Sequence, residues 1–236
     1  IHLFRTSPSP AFVASGKVPG WLIGQFALDE HDGVLRVAST VDDWSGRAAS
    51  ESMVTTLVPV GSRLVEQGRV SGLGMGERIY AVRFLGDTGY VVTFRQIDPL
   101  YTLDLSDPLD PRQVGELKIT GYSSYLHPVG DGLLLGVGQE ADTDGRTKGT
   151  QISLFDLSDP AAPVRLDQVH LADAWSDAEW DHHAFTYSDG VALVPVTTWA
   201  TEPSKNQPAM QVLAIEIDDR RLRVAARLGT DPVDPP

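Results

Sequence analysis

Two near-copies of one nine-residue stretch set the strongest limit on how this chain can fold. Leu103-Asp104-Leu105-Ser106-Asp107-Pro108-Leu109-Asp110-Pro111 returns 52 residues later as Phe155-Asp156-Leu157-Ser158-Asp159-Pro160-Ala161-Ala162-Pro163. A fixed period of about 20–50 residues marks a repeat architecture. Asp followed by Pro suits a type I turn, since Pro presets φ and the Asp carboxylate bonds the nearby backbone. Alternating runs precede each turn (100–105, 151–157) and follow it (113–119, 164–171), which reads as strand, turn, strand. The second of these strands recurs more widely, anchored at Val18, Val70, Ile119, Leu171 and Leu228, with spacings of 52, 49, 52 and 57.

Between anchors lies another hairpin, turning at Asp32-Gly33, Gly86-Asp87, Asp131-Gly132 and Asp189-Gly190. Asp-Gly between apolar runs is a strong hairpin signal. The runs are 21–28 with 34–39, 79–85 with 90–94, 123–129 with 133–137, and 180–187 with 191–196. Residues 172–179 fit one short helical turn. Four antiparallel strands per period describe a β-propeller blade. The expected fold is therefore an all-β propeller with four complete four-stranded blades (21–72, 73–121, 122–173 and 174–228), a leading half-blade (1–20) and a tail (229–236). The unfinished half-blade reads as part of a larger propeller. A closed four-bladed ring with the first hairpin as an extra is the alternative. Open blade edges would favour self-association.

The net charge of −13 repels phosphate backbones and anionic membrane faces, so no nucleic-acid partner is expected. The absence of cysteine excludes disulfides, thiolate metal sites and cysteine nucleophiles. No apolar run reaches the roughly 18 residues of a membrane helix. The first residue is Ile1 rather than Met, which reads as a cut that a leader could have preceded.

Several segments resemble the secreted bacterial and archaeal β-propeller proteins described as distantly related to WD40 repeats. They include Arg83-Phe84-Leu85-Gly86-Asp87, Gly121-Tyr122-Ser123-Ser124-Tyr125-Leu126-His127-Pro128, Gly136-Val137-Gly138-Gln139-Glu140-Ala141-Asp142 and Asp181-His182-His183-Ala184-Phe185. The resemblance implies an extracellular, membrane-associated or wall-associated setting. It implies no settled activity.

Aligning the blades on their inner hairpins brings Gln25, Arg83, His127 and His183 into one polar column. If all four lie on strands lining a central channel, they form a ring suited to a polar ligand. Polar residues there also serve simply to bond neighbouring blades. Trp180-Asp181-His182-His183 is the densest titratable cluster. His182 and His183 face opposite ways if they sit on a strand. A metal site would then draw one of them together with His127 and Asp181 or Glu179, and a structural histidine network is the favoured alternative. Glu140, Asp142 and Asp144 alternate before Gly145, like the start of a calcium loop. The twelfth position from Glu140 is Gln151 instead of a bidentate Glu, and Arg146 and Lys148 oppose a cation. A solvated turn is the simpler reading. No Gly-x-Ser-x-Gly elbow is present. The 72–76 glycine run precedes a strand and reads as a connector rather than a phosphate loop. Trp44 and Trp199 fall in long loops where aromatics can contact a protein or glycan.

The expected function is an extracellular, non-catalytic binding or scaffold propeller for a protein or glycan, without a cofactor unless the loop takes Ca²⁺. The alternative is an enzyme acting on a small polar or glycan substrate through His127, Asp181, His183 and Arg83.

Overall fold

The structure is a computed structural model that describes residues 1–42, 49–94, 98–142, 144–199 and 208–229. Trp44, the side chain of Trp199 and the tail beyond residue 229 lie outside these. The chain divides into two compact units, one of residues 1–95 with 99–116, the other of 96–98 with 117–236.

The first unit holds β1 (His2–Arg5), β2 (Ala11–Ser15), β3 (Leu28–His31), β4 (Val34–Val41), β5 (Glu51–Val60), β6 (Arg63–Leu73), β7 (Arg78–Leu85), β8 (Thr88–Phe94), β9 (Asp98–Asp104) and most of β10 (Arg112–Ile119). They form one sheet in the order β1-β2-β6-β5-β4-β3 and another in the order β10-β9-β8-β7. The leading hairpin β1–β2 meets the first sheet through one parallel bridge, Ser15 to Arg63. Its Ala14 is buried against Leu35, Val37, Leu57 and Leu64.

The second unit holds β11 (Tyr122–Gly130), β12 (Leu133–Ala141), β13 (Thr147–Asp156) and β14 (Val164–Ala172) in one sheet. Its other sheet has β15 (Ala174–Trp175), β16 (Thr186–Ser188), β17 (Val191–Trp199), β18 (Pro208–Asp218) and β19 (Arg221–Gly229). There β15 and β16 both pair with β17. Each unit thus contains two of the four-strand antiparallel blades that the period requires. The middle strands are covered on both faces, so buried positions run consecutively along them, with polar Thr55, Thr56, Thr150, Gln151 and Ser153 among the apolar residues. Val91, Leu103, Leu134, Leu135, Ile152, Leu154, Val194, Leu213 and Ile215 are all fully buried.

Local sequence sets the turns. Asp32-Gly33, Asp131-Gly132 and Asp189-Gly190 have positive φ at both central residues, as a type I′ hairpin needs. In Gly86-Asp87 only Gly86 does, as in type II′. The two copies of the repeated motif share the hydrogen bonds of their turns. Asp107 accepts the Leu109 amide on its carboxylate at 2.9 Å and the Asp110 amide on its carbonyl at 3.1 Å. Asp159 does the same for Ala161 and Ala162. One turn upstream, Asp104 and Asp156 each accept both the amide (3.0 Å) and the hydroxyl (2.6 Å) of the serine two residues on. These hydroxyl and amide bonds hold both carboxyls below the usual carboxylate range, with arginines adding to the effect. Two residues past each of the first four anchors the chain enters the left-handed region, at Gly20, Gly72, Gly121 and Asp173. At Gly20 and Gly121 a Cβ would also lie 2.2 Å from a carbonyl oxygen, of Thr40 and Gln139 respectively. The end of each blade is thus fixed by backbone conformation as well as by apolar anchors.

Two expected strands are not continuous. Residues 21–28 hold only a bridge from Trp21 to Thr40 and a 3-10 turn, Gln25–Ala27, before β3. Residues 180–187 hold a 3-10 turn, His182–Ala184, before the short β16. Another 3-10 turn, Asp177–Glu179, precedes it, where the sequence fits a helical turn. Ser176 and Glu179 close a capping box there, and Asp181 caps the next turn through its carboxylate. Both compete with strand pairing.

Candidate functional site

The four residues of the polar column sit in unlike settings. Arg83 and His127 lie on strands, paired with Tyr90 and Leu135. Gln25 and His183 lie on 3-10 turns, so the premise of four equivalent strand positions does not hold. In the first unit Arg83 stacks its guanidinium over Phe26, 3.9 Å from the ring centroid, on the same turn as Gln25. In the second unit the Tyr125 hydroxyl and the His127 Nδ1 are hydrogen-bonded at 3.0 Å. Phe185 and Tyr187 pack against the His127 ring, with centroids 4.8 and 5.5 Å away. The Tyr187 hydroxyl in turn donates to the Val129 carbonyl at 3.1 Å. His127 is therefore part of an aromatic seam between the two sheets of its unit.

Asp181, His182 and His183 do come together, against the expectation for adjacent residues on a strand. Ligand atoms of the three lie within 4.8 Å of one another, and the two imidazole centroids are 3.8 Å apart. The reason is the 3-10 turn, which rotates successive side chains by about 120° instead of sending them to opposite faces as a strand does. Asp181 Oδ1 accepts the His183 amide at 3.0 Å and is 2.9 Å from His183 Nδ1. Those bonds, amide first, hold the Asp181 carboxyl below its ordinary value. Trp180, immediately before, is 66% exposed, and the His183 side chain is 80% exposed.

Glu179 is not part of this group. It is half-buried, accepting the Ser176 amide at 2.9 Å and the Gln139 side-chain amide at 2.6 Å, and desolvation raises its carboxyl above the usual range. Among the described residues, Asp181, His182 and His183 form the one cluster with metal-ligand reach. In the 140–145 loop, Asp142 accepts the amides of Asp144 and Arg146 and pairs with Lys148 Nζ at 2.9 Å. Asp144 faces Arg146 at 3.7 Å, and Glu140 accepts from Gln168 at 2.5 Å. The flanking cations and amides engage all three carboxylates.

Sequence reasoning missed the aromatic partners Phe26, Phe185 and Tyr187, and the convergence of His182 with His183. The available signal for the latter was Ser176-Asp177-Ala178-Glu179, a capping-box pattern that argues against a strand over the following residues.

Over 177 residues the chain is 47% identical to an uncharacterised protein of Methanocaldococcus jannaschii, covering 75% of this chain and 27% of that one. Over 196 residues it is 47% identical to an uncharacterised protein of Archaeoglobus fulgidus, covering 82% and 29%. It therefore spans under a third of the length of these relatives. Among solved structures, it is similar to a GH32 β-fructofuranosidase of Bombyx mori in a mutant form in complex with sucrose. The identity there is 12%, with a TM-score of 0.37, covering 88% of this chain and 50% of that one. That likeness is too weak to bear on fold or activity. The family description "Beta propeller domain" matches residues 1–233, and with its blades and turns as described, the chain belongs to the β-propeller domain family.

Proposed function

We propose that the chain is a non-catalytic binding propeller that works outside the cytoplasm and takes a glycan at the exposed turn around Trp180. The observation that carries this is the surface itself. A largely exposed indole stands beside an exposed carboxylate and imidazole, Asp181 and His183. Together they offer an apolar face and hydrogen-bonding groups, as a sugar ring requires. The extracellular setting rests on the family resemblance drawn from the sequence.

The enzymatic alternative needs His127 and Arg83 as reacting groups. Against it stands their engagement, His127 with Tyr125, Phe185 and Tyr187, and Arg83 with Phe26. The test is a glycan array probed with the wild type and with Trp180→Ala. The expected result is binding to a defined glycan class that the variant loses, with no turnover of the bound glycan. Equal binding by both proteins, or turnover abolished by His127→Ala, overturns the reading.

A further inference from the structure

We infer that Asp181, His182 and His183 form a binding site for a divalent first-row transition ion, with zinc the best match. The donor set is two imidazoles and one carboxylate. Nitrogen-rich sets of this kind suit zinc, nickel and copper, whereas calcium and magnesium take all-oxygen shells.

The geometry is already close to what an ion needs. Ligands at about 2.1 Å from a tetrahedral ion stand roughly 3.4 Å apart. The three donors lie within 4.8 Å of one another. Closing the difference takes side-chain rotation alone, which the exposure of Asp181 and His183 permits. The turn also orients the ligands before any ion arrives. Asp181 Oδ1 and His183 Nδ1 already face each other at 2.9 Å, so an ion would take the place of the proton between them. With His183 80% exposed, water can complete the coordination sphere, so the site is an open one.

The inference does not depend on the glycan reading, because zinc binding is read without glycan and the glycan array can be run with chelator present. The experiment is calorimetric titration of the chain, stripped with chelator, with zinc chloride. The wild type should bind one zinc with a micromolar or tighter Kd. His183→Gln and His182→Ala should each weaken binding about tenfold or more. His170→Ala, altering a histidine that lies on β14 outside the cluster, should bind as the wild type does. Nickel should quench tryptophan fluorescence in the wild type, and quench it less in Trp180→Phe. His183→Gln changes only an exposed side chain, so it keeps the test valid if the alanine variant does not fold. The inference is overturned if the wild type takes up no zinc at about 100 μM. It is equally overturned if the His183 and His182 variants match its affinity, or if nickel quenching is unchanged in Trp180→Phe.

Discussion

The two units use the same repeated strands and turns but join their sheets with different chemistry. In the first, Thr56 of the leading sheet donates to the Pro108 carbonyl of the next sheet's motif turn at 2.6 Å. Arg36 of the leading sheet, with 4% of its side chain exposed, binds Asp29 of its own sheet and the Gly86 carbonyl of the next, and lies over the Phe84 ring. In the second, the motif carboxylate Asp156 pairs with Arg220, and Asp167 accepts the Leu222 amide at 2.9 Å, both reaching from the sheet whose own motif is degenerate. At the hairpin tips Tyr187 replaces the arginine, donating to the Val129 carbonyl. Asp104, the counterpart of Asp156, spends its charge inside its own hairpin on Arg112. The hairpins repeat because local sequence specifies them. The seams diverge because they are built from positions that the repeat leaves open.

The sharpest way to break this comparison is at the hairpin tips. Arg36→Met leaves Asp29 partly buried without its partner and strips the Gly86 carbonyl of its donor. Losses of this kind run to several kcal/mol, and about 3 kcal/mol is expected here. Tyr187→Phe removes one neutral hydrogen bond, for about 1 kcal/mol. Urea denaturation of the two variants should show the first midpoint falling well below the second. Similar midpoints would mean that the two seams are equally strong despite their chemistry.

A smaller effect is expected on the motif side of the first seam. Gly68 leaves room for the next sheet's turn, and a Cβ there would lie 2.6 Å from Pro111 Cδ and 2.7 Å from the Pro108 carbonyl oxygen. Gly68→Ala should cost about 1–3 kcal/mol by pushing the turn off Thr56. Gly61→Ala, at the β5–β6 turn with open space around it but positive φ, isolates the backbone cost alone. If Gly61→Ala proves the more damaging, close packing of the turn is not what requires Gly68.

These seams also show what could be read from the sequence and what could not. The Asp-Pro turns, the Asp-Gly hairpins and the anchor spacing were legible because each is specified within a few residues by φ preference and Asp bonding. Arg36, Arg220 and Tyr187 were not legible, since their hydrogen-bond partners across the seam lie 50 or more residues away and no local pattern marks them. The premise behind the polar column was misjudged in the same way. The column of Gln25, Arg83, His127 and His183 assumed regular strands, yet two 3-10 turns interrupt them. The cluster that did form depends on a winding that period-two reasoning cannot represent.

The paired carboxylates offer a finer comparison. Double-mutant cycles on Asp156 with Arg220 and on Asp104 with Arg112 should each give a coupling of about 0.5 kcal/mol, because the arginines are largely solvated. The difference should appear instead in its consequence. Breaking the Asp156 pair loosens one sheet from its neighbour, while breaking the Asp104 pair frays one hairpin. Hydrogen exchange should therefore quicken at β19 in Asp156→Asn and stay local to the β9–β10 turn in Asp104→Asn. Exchange confined to one hairpin in both variants would remove the distinction.

The smallest effect is a difference in sign with pH. Asp104, Asp156 and Asp181 have depressed folded values, so their contribution is present above the ordinary carboxylate range and is lost as pH falls through the folded values. Glu179 has the opposite sign. Desolvation raises it in the folded state, against the pull of the Ser176 and Gln139 donors. Between its unfolded value, near about 4.3, and its higher folded value, the folded state holds more proton than the unfolded state. Its contribution is therefore complete below the unfolded value and is lost as pH rises through the folded one. Glu179→Gln removes this component while its amide oxygen can still accept from Ser176. Urea midpoints measured from neutral pH down to the carboxylate range should show the wild type gaining on the variant as pH falls, until the depressed aspartates titrate in both. Parallel curves would mean that burial of Glu179 beside Gln139 carries no proton linkage, and that the seam in the second unit is insensitive to the charge it encloses.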